Sequence, residues 1–320
     1  MNKIKRSIKL LRAAFAVLLR EKKLLLFPLI GTAMAVGAAL FFLAPIVLYP
    51  SGHSYFSAAH WQVLCDRLTQ GMGSAPGRPA GVGLHTGPAL LASHWWLTPF
   101  FAVTYFVSMF LATFCNVAFY HEIMQALNGR PVSLRRGFAF ASARWRAVLL
   151  WSLFAGLVGY LINTLEQRLG FVGQMVCGLI GLAWSAACIF IIPTLVRDEE
   201  TANPLVLLRH SAATLRRTWG ELIVGFVGLE MVFGAIFMGL MGMAVLAGVG
   251  IYALGLHSGW LLLGLVLAGV GIFLAAAVVL SWLSGLVNPI YRCALYIYAT
   301  EGVVPGTFDQ ELLDSAWKVK

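Results

Sequence analysis

Residues 24–48 read LLLFPLIGTAMAVGAALFFLAPIVL, an unbroken apolar run without one charged side chain. A helix rises about 1.5 Å per residue, so roughly 20 apolar residues cross the hydrocarbon of a bilayer and this run suffices. A transmembrane barrel strand needs only about 10 residues and alternates polar with apolar, which this stretch does not. Basic residues precede the run, as they would a secretory signal, but the apolar core of a cleavable signal is roughly 7–15 residues. The stretch is therefore read as a retained first span.

Runs of the same kind recur at about 97–127, 147–165, 171–196, 222–254 and 260–298, the last long enough to be tilted or broken. The expected fold is all-α, a polytopic membrane bundle of about six transmembrane helices forming a single integral domain. Composition agrees: 60% of residues are hydrophobic, 11% are charged and the mean hydropathy is +0.83, which excludes an ordinary soluble surface. Of the five cysteines, Cys65 falls in a loop and Cys115, Cys177, Cys188 and Cys293 fall inside apolar runs without CxxC spacing. Neither a disulfide framework nor a zinc site is expected.

Lys and Arg in short flanking segments are retained on the cytoplasmic side, so their distribution sets the orientation. Lys3, Lys5, Arg6, Lys9, Arg12, Arg20, Lys22 and Lys23 precede the first span. Arg130, Arg135, Arg136, Arg144 and Arg146 lie between the second and third, and Arg197, Arg209, Arg216 and Arg217 between the fourth and fifth. The other side receives only Arg67, Arg78 and Arg168. The net charge of +10 thus sits almost wholly on one face, read as cytoplasmic together with both termini. Nucleic acid would need a basic groove on a soluble surface, so anionic phospholipid headgroups are the expected partner instead. The outer loop, about 49–94, is rich in Gly, Pro, Ser and His; within it Trp61, Leu64, Cys65 and Leu68 keep helical spacing.

The segments entering the odd-numbered spans share a pattern. Apolar residues recur at alternating steps of four and three: Ile4, Ile8, Leu11, Phe15, Leu18; Leu134, Phe138, Ala141, Trp145; Leu205, Leu208, Ala212, Leu215, Trp219. Cations occupy the opposite face, the signature of a helix lying in the membrane interface with its stripe among acyl chains. Lys5, Lys9, Arg12, Arg135, Arg136, Arg209, Arg216 and Arg217 are the candidate headgroup ligands, and Ser133 is a candidate helix cap. The return spans end in Asn128-Gly129-Arg130-Pro131, Ala202-Asn203-Pro204 and Glu301-Gly302-Val303-Val304-Pro305. Three repeat units at about 1–130, 131–203 and 204–305 follow, although basic loops carrying such stripes also arise without repetition.

Ionisable groups at membrane depth are costly and mark candidate sites. Asn116, His121, Glu122, Glu230, Asn288 and Arg292 are such groups, with Glu230 and Arg292 at a depth that would let them pair and Pro289 expected to break the last helix. Together they read either as a binding or proton-relay site or as a structural ion pair with headgroup-reaching neighbours. Asn163, Glu166 and Arg168 read as an outer turn, and Asp198, Glu199 and Glu200 as a solvated acidic run. No Gly-Lys-Ser/Thr phosphate loop, HExxH pair or Gly-x-Ser-x-Gly elbow occurs. No catalytic residue, metal or cofactor is expected.

The stretches Asn163-Thr-Leu-Glu-Gln-Arg-Leu-Gly-Phe-Val-Gly173, Ala183-Trp-Ser185, Ile192-Pro-Thr-Leu-Val196 and Leu215-Arg-Arg-Thr-Trp-Gly-Glu221 resemble an uncharacterised bacterial family of multi-pass membrane proteins. The proline-ended span, acidic run and following Leu-Arg-His-Ser segment are distantly similar to the membrane domain of some glycerophosphodiester phosphodiesterases, whose soluble catalytic domain this chain lacks. The resemblance implies a bacterial cytoplasmic membrane and supplies no activity. The expected function is that of a non-enzymatic membrane protein holding anionic lipid, in envelope organisation or as an accessory subunit. The alternative is a small-molecule or lipid transporter using the intramembrane polar residues.

Overall fold

A computed structural model describes residues 3–47, 52–62, 97–198, 202–253 and 259–305. Among these no strand occurs, and six helices are long and apolar enough to cross a membrane: Lys22–Ala44, Ala102–Leu127, Trp145–Arg168, Val172–Arg197, Met231–Gly250 and Leu267–Glu301. The helices are α1 (Lys3–Arg20), α2 (Leu26–Val47), α3 (Leu97–Leu127), α4 (Leu134–Ala143), α5 (Trp145–Arg168), α6 (Phe171–Ala187), α7 (Ile191–Arg197), α8 (Pro204–Ala253) and α9 (Gly259–Glu301). The expected outer helix falls mostly on residues outside those described.

Each basic amphipathic segment is a helix separated from the span that follows it by a break of backbone geometry. Glu21 (φ −118°, ψ 70°) divides α1 from a 3-10 turn and α2. Arg144 (φ −105°, ψ 19°) divides α4 from α5, and Thr218 (φ −114°, ψ 15°) divides α8 into a basic first part and a spanning second part. The first and third return spans stop at glycines of positive φ, Gly129 (77°) and Gly302 (68°). A left-handed residue after the last turn closes a helix end, and glycine adopts it without a Cβ clash.

The apolar stripes differ from expectation in where they go. Leu10, Ala14, Val17 and Leu18 of α1, Ala141 of α4, and Leu207, Ser211, Leu215 and Thr218 of α8 are buried inside the protein, with Leu11, Phe15, Leu134, Phe138 and Leu208 packed at the edge of that core. Each basic helix thus turns one face into the bundle; of the expected stripe positions Leu18, Ala141 and Leu215 are buried, whereas Trp145 and Leu205 are exposed. α4 lies on α3 and α5, the first part of α8 on α7 and α6, and α1 on α8 and α9. The core is gathered at the basic end. Val117–Leu127 of α3 and Leu286–Ile297 of α9 are largely buried, while Leu40, Phe41, Leu179, Met238, Leu246, Ile272 and Val278, farther from that end, are exposed, as lipid-facing side chains are.

Two prolines behave oppositely. The fourth span is split at residues 188–190 between α6 and α7, where Pro193 supplies no N–H to the carbonyl four residues back. Backbone groups freed at membrane depth must find partners, and Ser211 provides them: its hydroxyl accepts from the Phe190 N–H (3.2 Å) and donates to the Ala187 carbonyl (2.5 Å). Pro289, expected to break the last span, instead lies inside a continuous α9. Leu286, Val287, Ile290 and Tyr291 around it are buried, so packing holds the helix across one lost hydrogen bond. Replacing Ser211 with Ala leaves both groups of the α6–α7 break unsatisfied and should cost about 1–3 kcal/mol. Thermal unfolding of the detergent-solubilised protein checks this, and an unchanged midpoint would show that the break needs no bridge.

Candidate functional site

Glu122 lies near the end of α3 and its side chain is fully buried. The chain then reverses through Asn128-Gly129-Arg130-Pro131 into α4, whose cap Ser133 accepts from the Arg136 N–H. This reversal lays the first turn of α4 over the carboxylate. One oxygen accepts from the Ser133 N–H (2.7 Å) and Arg136 Nη2 (2.6 Å), the other from Arg136 Nε (2.9 Å), with His121 Nδ1 at 3.1 Å. A buried carboxylate is tolerable only when its lone pairs are filled and its charge is matched, and the bidentate guanidinium does both.

The surroundings fix the clamp. His121 stacks on Phe140 at 4.1 Å between ring centres; Arg136 Nη2 also donates to the Pro131 carbonyl at 2.8 Å. Glu21, at the break after α1, accepts from the Val132 N–H at 3.1 Å. Gly137 allows the close approach of α4 to α3: a Cβ there would stand 2.9 Å from the Ala118 carbonyl oxygen and from Glu122 Cγ. Hydrogen bonding to Glu122 raises the pKa of Arg136 above the ordinary arginine range, so the guanidinium stays charged.

A second set of polar contacts joins α4, α7, α8 and α9. Arg144 donates to the Leu195 carbonyl and, at 2.9 Å, to that of Asp198, capping the end of α7. Arg197 pairs with Glu301, and His210 meets Asp198 at 3.2 Å. His121, Gln125, Asn128 and Arg197 share the lining of a cavity of about 300 Å³ beside Phe140.

The intramembrane candidates take different contacts among the described residues. His121 and Glu122 belong to the clamp. Asn288 donates to Ser284 Oγ at 3.2 Å, Arg292 stands by the Tyr120 hydroxyl, and Asn116 lines a separate cavity between α2, α3 and α9. The side chain of Glu230, and with it the expected pairing with Arg292, lies outside those described. Among the headgroup candidates Lys9, Arg12, Arg135, Arg209, Arg216 and Arg217 are exposed, Arg136 is bound to Glu122, and the side chain of Lys5 is not described. Sequence reasoning placed Arg144 in a basic loop without its capping role and missed Ser211 and Glu21 altogether.

Six apolar spans, a buried charge pair and an exposed cationic rim at one end define a multi-pass helical membrane protein. Comparison with known families refines this. Residues 95–306, well over half of the chain, match the model described as Family of unknown function (DUF6159), and the chain belongs to that family. No curated protein and no solved structure matches it.

The clamp makes a specific energetic demand. Arg136→Met should leave the buried Glu122 without its cation and cost on the order of 2–4 kcal/mol, moderated because 40% of the Arg136 side chain is exposed. Glu122→Gln in the Arg136→Met background should recover part of that loss. Unfolding midpoints of the two single variants and the double variant test the coupling; strictly additive losses would contradict a functioning pair.

Proposed function

We propose that this protein is a non-enzymatic component of a bacterial cytoplasmic membrane that holds anionic phospholipid headgroups on its cytoplasmic face, in envelope organisation or as an accessory subunit. The observation that carries the reading is an imbalance of charge at one end of the bundle. Glu122, Glu21, Asp198 and Glu301 are engaged by partners within the protein, whereas Lys9, Arg12, Arg20, Lys22, Lys23, Arg135, Arg209, Arg216 and Arg217 are exposed. Cations at the level where spans emerge face phosphate, and each contributes about 1 kcal/mol near an anionic surface. The same imbalance orients this end, with both termini, toward the cytoplasm.

In this reading the units 1–130, 131–203 and 204–305 are repeats, each contributing one basic helix to a rim. That each basic helix packs one face into the bundle supports headgroup contact by charge: the cations are held at fixed positions on a packed surface. A transporter is the second reading, favoured by the cavity that Asn116 lines.

Replacing Arg135, Arg209, Arg216 and Arg217 together with Gln spares the Glu122 clamp and removes four exposed cations. In vesicles mixing phosphatidylglycerol with phosphatidylcholine, acyl-brominated phosphatidylglycerol should quench the wild-type tryptophans more than brominated phosphatidylcholine does. That preference should fall about tenfold or more at low salt in the variant. Equal preference in variant and wild type would remove the rim as the lipid ligand.

A further inference from the structure

Asn116 is exposed and lies 11 residues before the end of α3 at Leu127, which places it about 16 Å from that end at 1.5 Å per residue. That is near the middle of a hydrocarbon core about 30 Å thick. Among the described residues its amide has no hydrogen-bond partner. An amide left bare in hydrocarbon is costly, and polar groups at that depth usually serve a site.

The space in front of it is concave. A cavity of about 380 Å³ lies between α2, α3 and α9, with Asn116, Thr32 and Ser108 among otherwise apolar walls. Gly285 and Pro289 of α9 line it too. Because Pro289 has no N–H, the Gly285 carbonyl four residues earlier receives no helical hydrogen bond, so a donor amide and an acceptor carbonyl without its helical donor border the same apolar space. The volume falls within the range of small-molecule sites, about 300–1,000 Å³, and a hollow accommodates a compact molecule better than the ridge of another helix.

We propose that this cavity is a binding site for a lipophilic alcohol: an apolar molecule whose single hydroxyl accepts from the Asn116 amide and donates to the Gly285 carbonyl. A hydroxyl is the smallest group that does both. Phospholipid carbonyls and headgroups lie at the interface and do not reach this depth, so the surrounding lipid cannot supply the partner. The site is distinct from the basic rim and does not rest on the headgroup reading.

The test uses the full chain in detergent with farnesol as probe and the hydrocarbon farnesene as its match in shape, reading the shift in thermal unfolding. Farnesol should stabilise the wild type with an apparent affinity about tenfold above that of farnesene, the worth of one hydrogen bond of about 1.4 kcal/mol. Asn116→Leu should lower that preference at least about threefold while leaving farnesene unaffected. Ala112→Phe, which fills the cavity from the same face of α3, should weaken both. Equal stabilisation by the two probes, or a preference undiminished by Asn116→Leu, overturns the proposal. So does a dimer in native mass spectrometry that Asn116→Leu dissolves, because the amide's partner would then be a second copy of the chain.

Discussion

A carboxylate with no exposed surface, just inside the end of a membrane span, governs the basic end of this protein. Glu122 cannot remain charged there without donors, and Arg136, Ser133 and His121 supply them. Satisfying that one group requires α3 to end where it does, the chain to reverse tightly at Gly129, and α4 to begin at Ser133 with Gly137 pressed against α3. Once α4 is fixed, Arg144 at its end reaches the last turn of α7, and α7 in turn meets α9 through Arg197 and Glu301. The polar groups thus form a connected collar across helices whose outer halves share little buried surface.

The collar also explains the distribution of the core. Hydrophobic burial drives association only where water would otherwise reach, and in a bilayer the mid-spans gain little by leaving lipid for one another. The segments bordering the aqueous face are different, because α1, α4 and the first part of α8 carry stripes that water penalises. Those stripes close over the ends of α3, α7 and α9, and the cations on their other faces are left at the surface. Packing and charge display are two consequences of one amphipathic pattern.

Much of this was legible in the sequence. The six spans and the three basic segments were readable because hydrocarbon thickness and helical period act locally. Pairings were not: Glu122 and Arg136 are 14 residues apart across a turn, and nothing local distinguishes a glutamate that reaches headgroups from one that is covered by the following helix. Pro289 was expected to break its span, yet surrounding packing holds the helix there, and the break falls instead near Pro193, where Ser211 bridges the ladder. The stripes were visible but their destination was not, since lipid and a neighbouring helix are equally apolar to a periodic pattern. The family match supplies no activity.

Hydrogen–deuterium exchange in nanodiscs tests most directly whether the exposed cations of the collar are a lipid-binding rim. In discs of phosphatidylglycerol, amides of α1, α4 and the first part of α8 should exchange more slowly than in discs of phosphatidylcholine, while those of α5 and α6 in mid-membrane stay the same. Identical protection of the basic helices in both lipids would contradict the account, leaving the collar as a purely internal device of the fold.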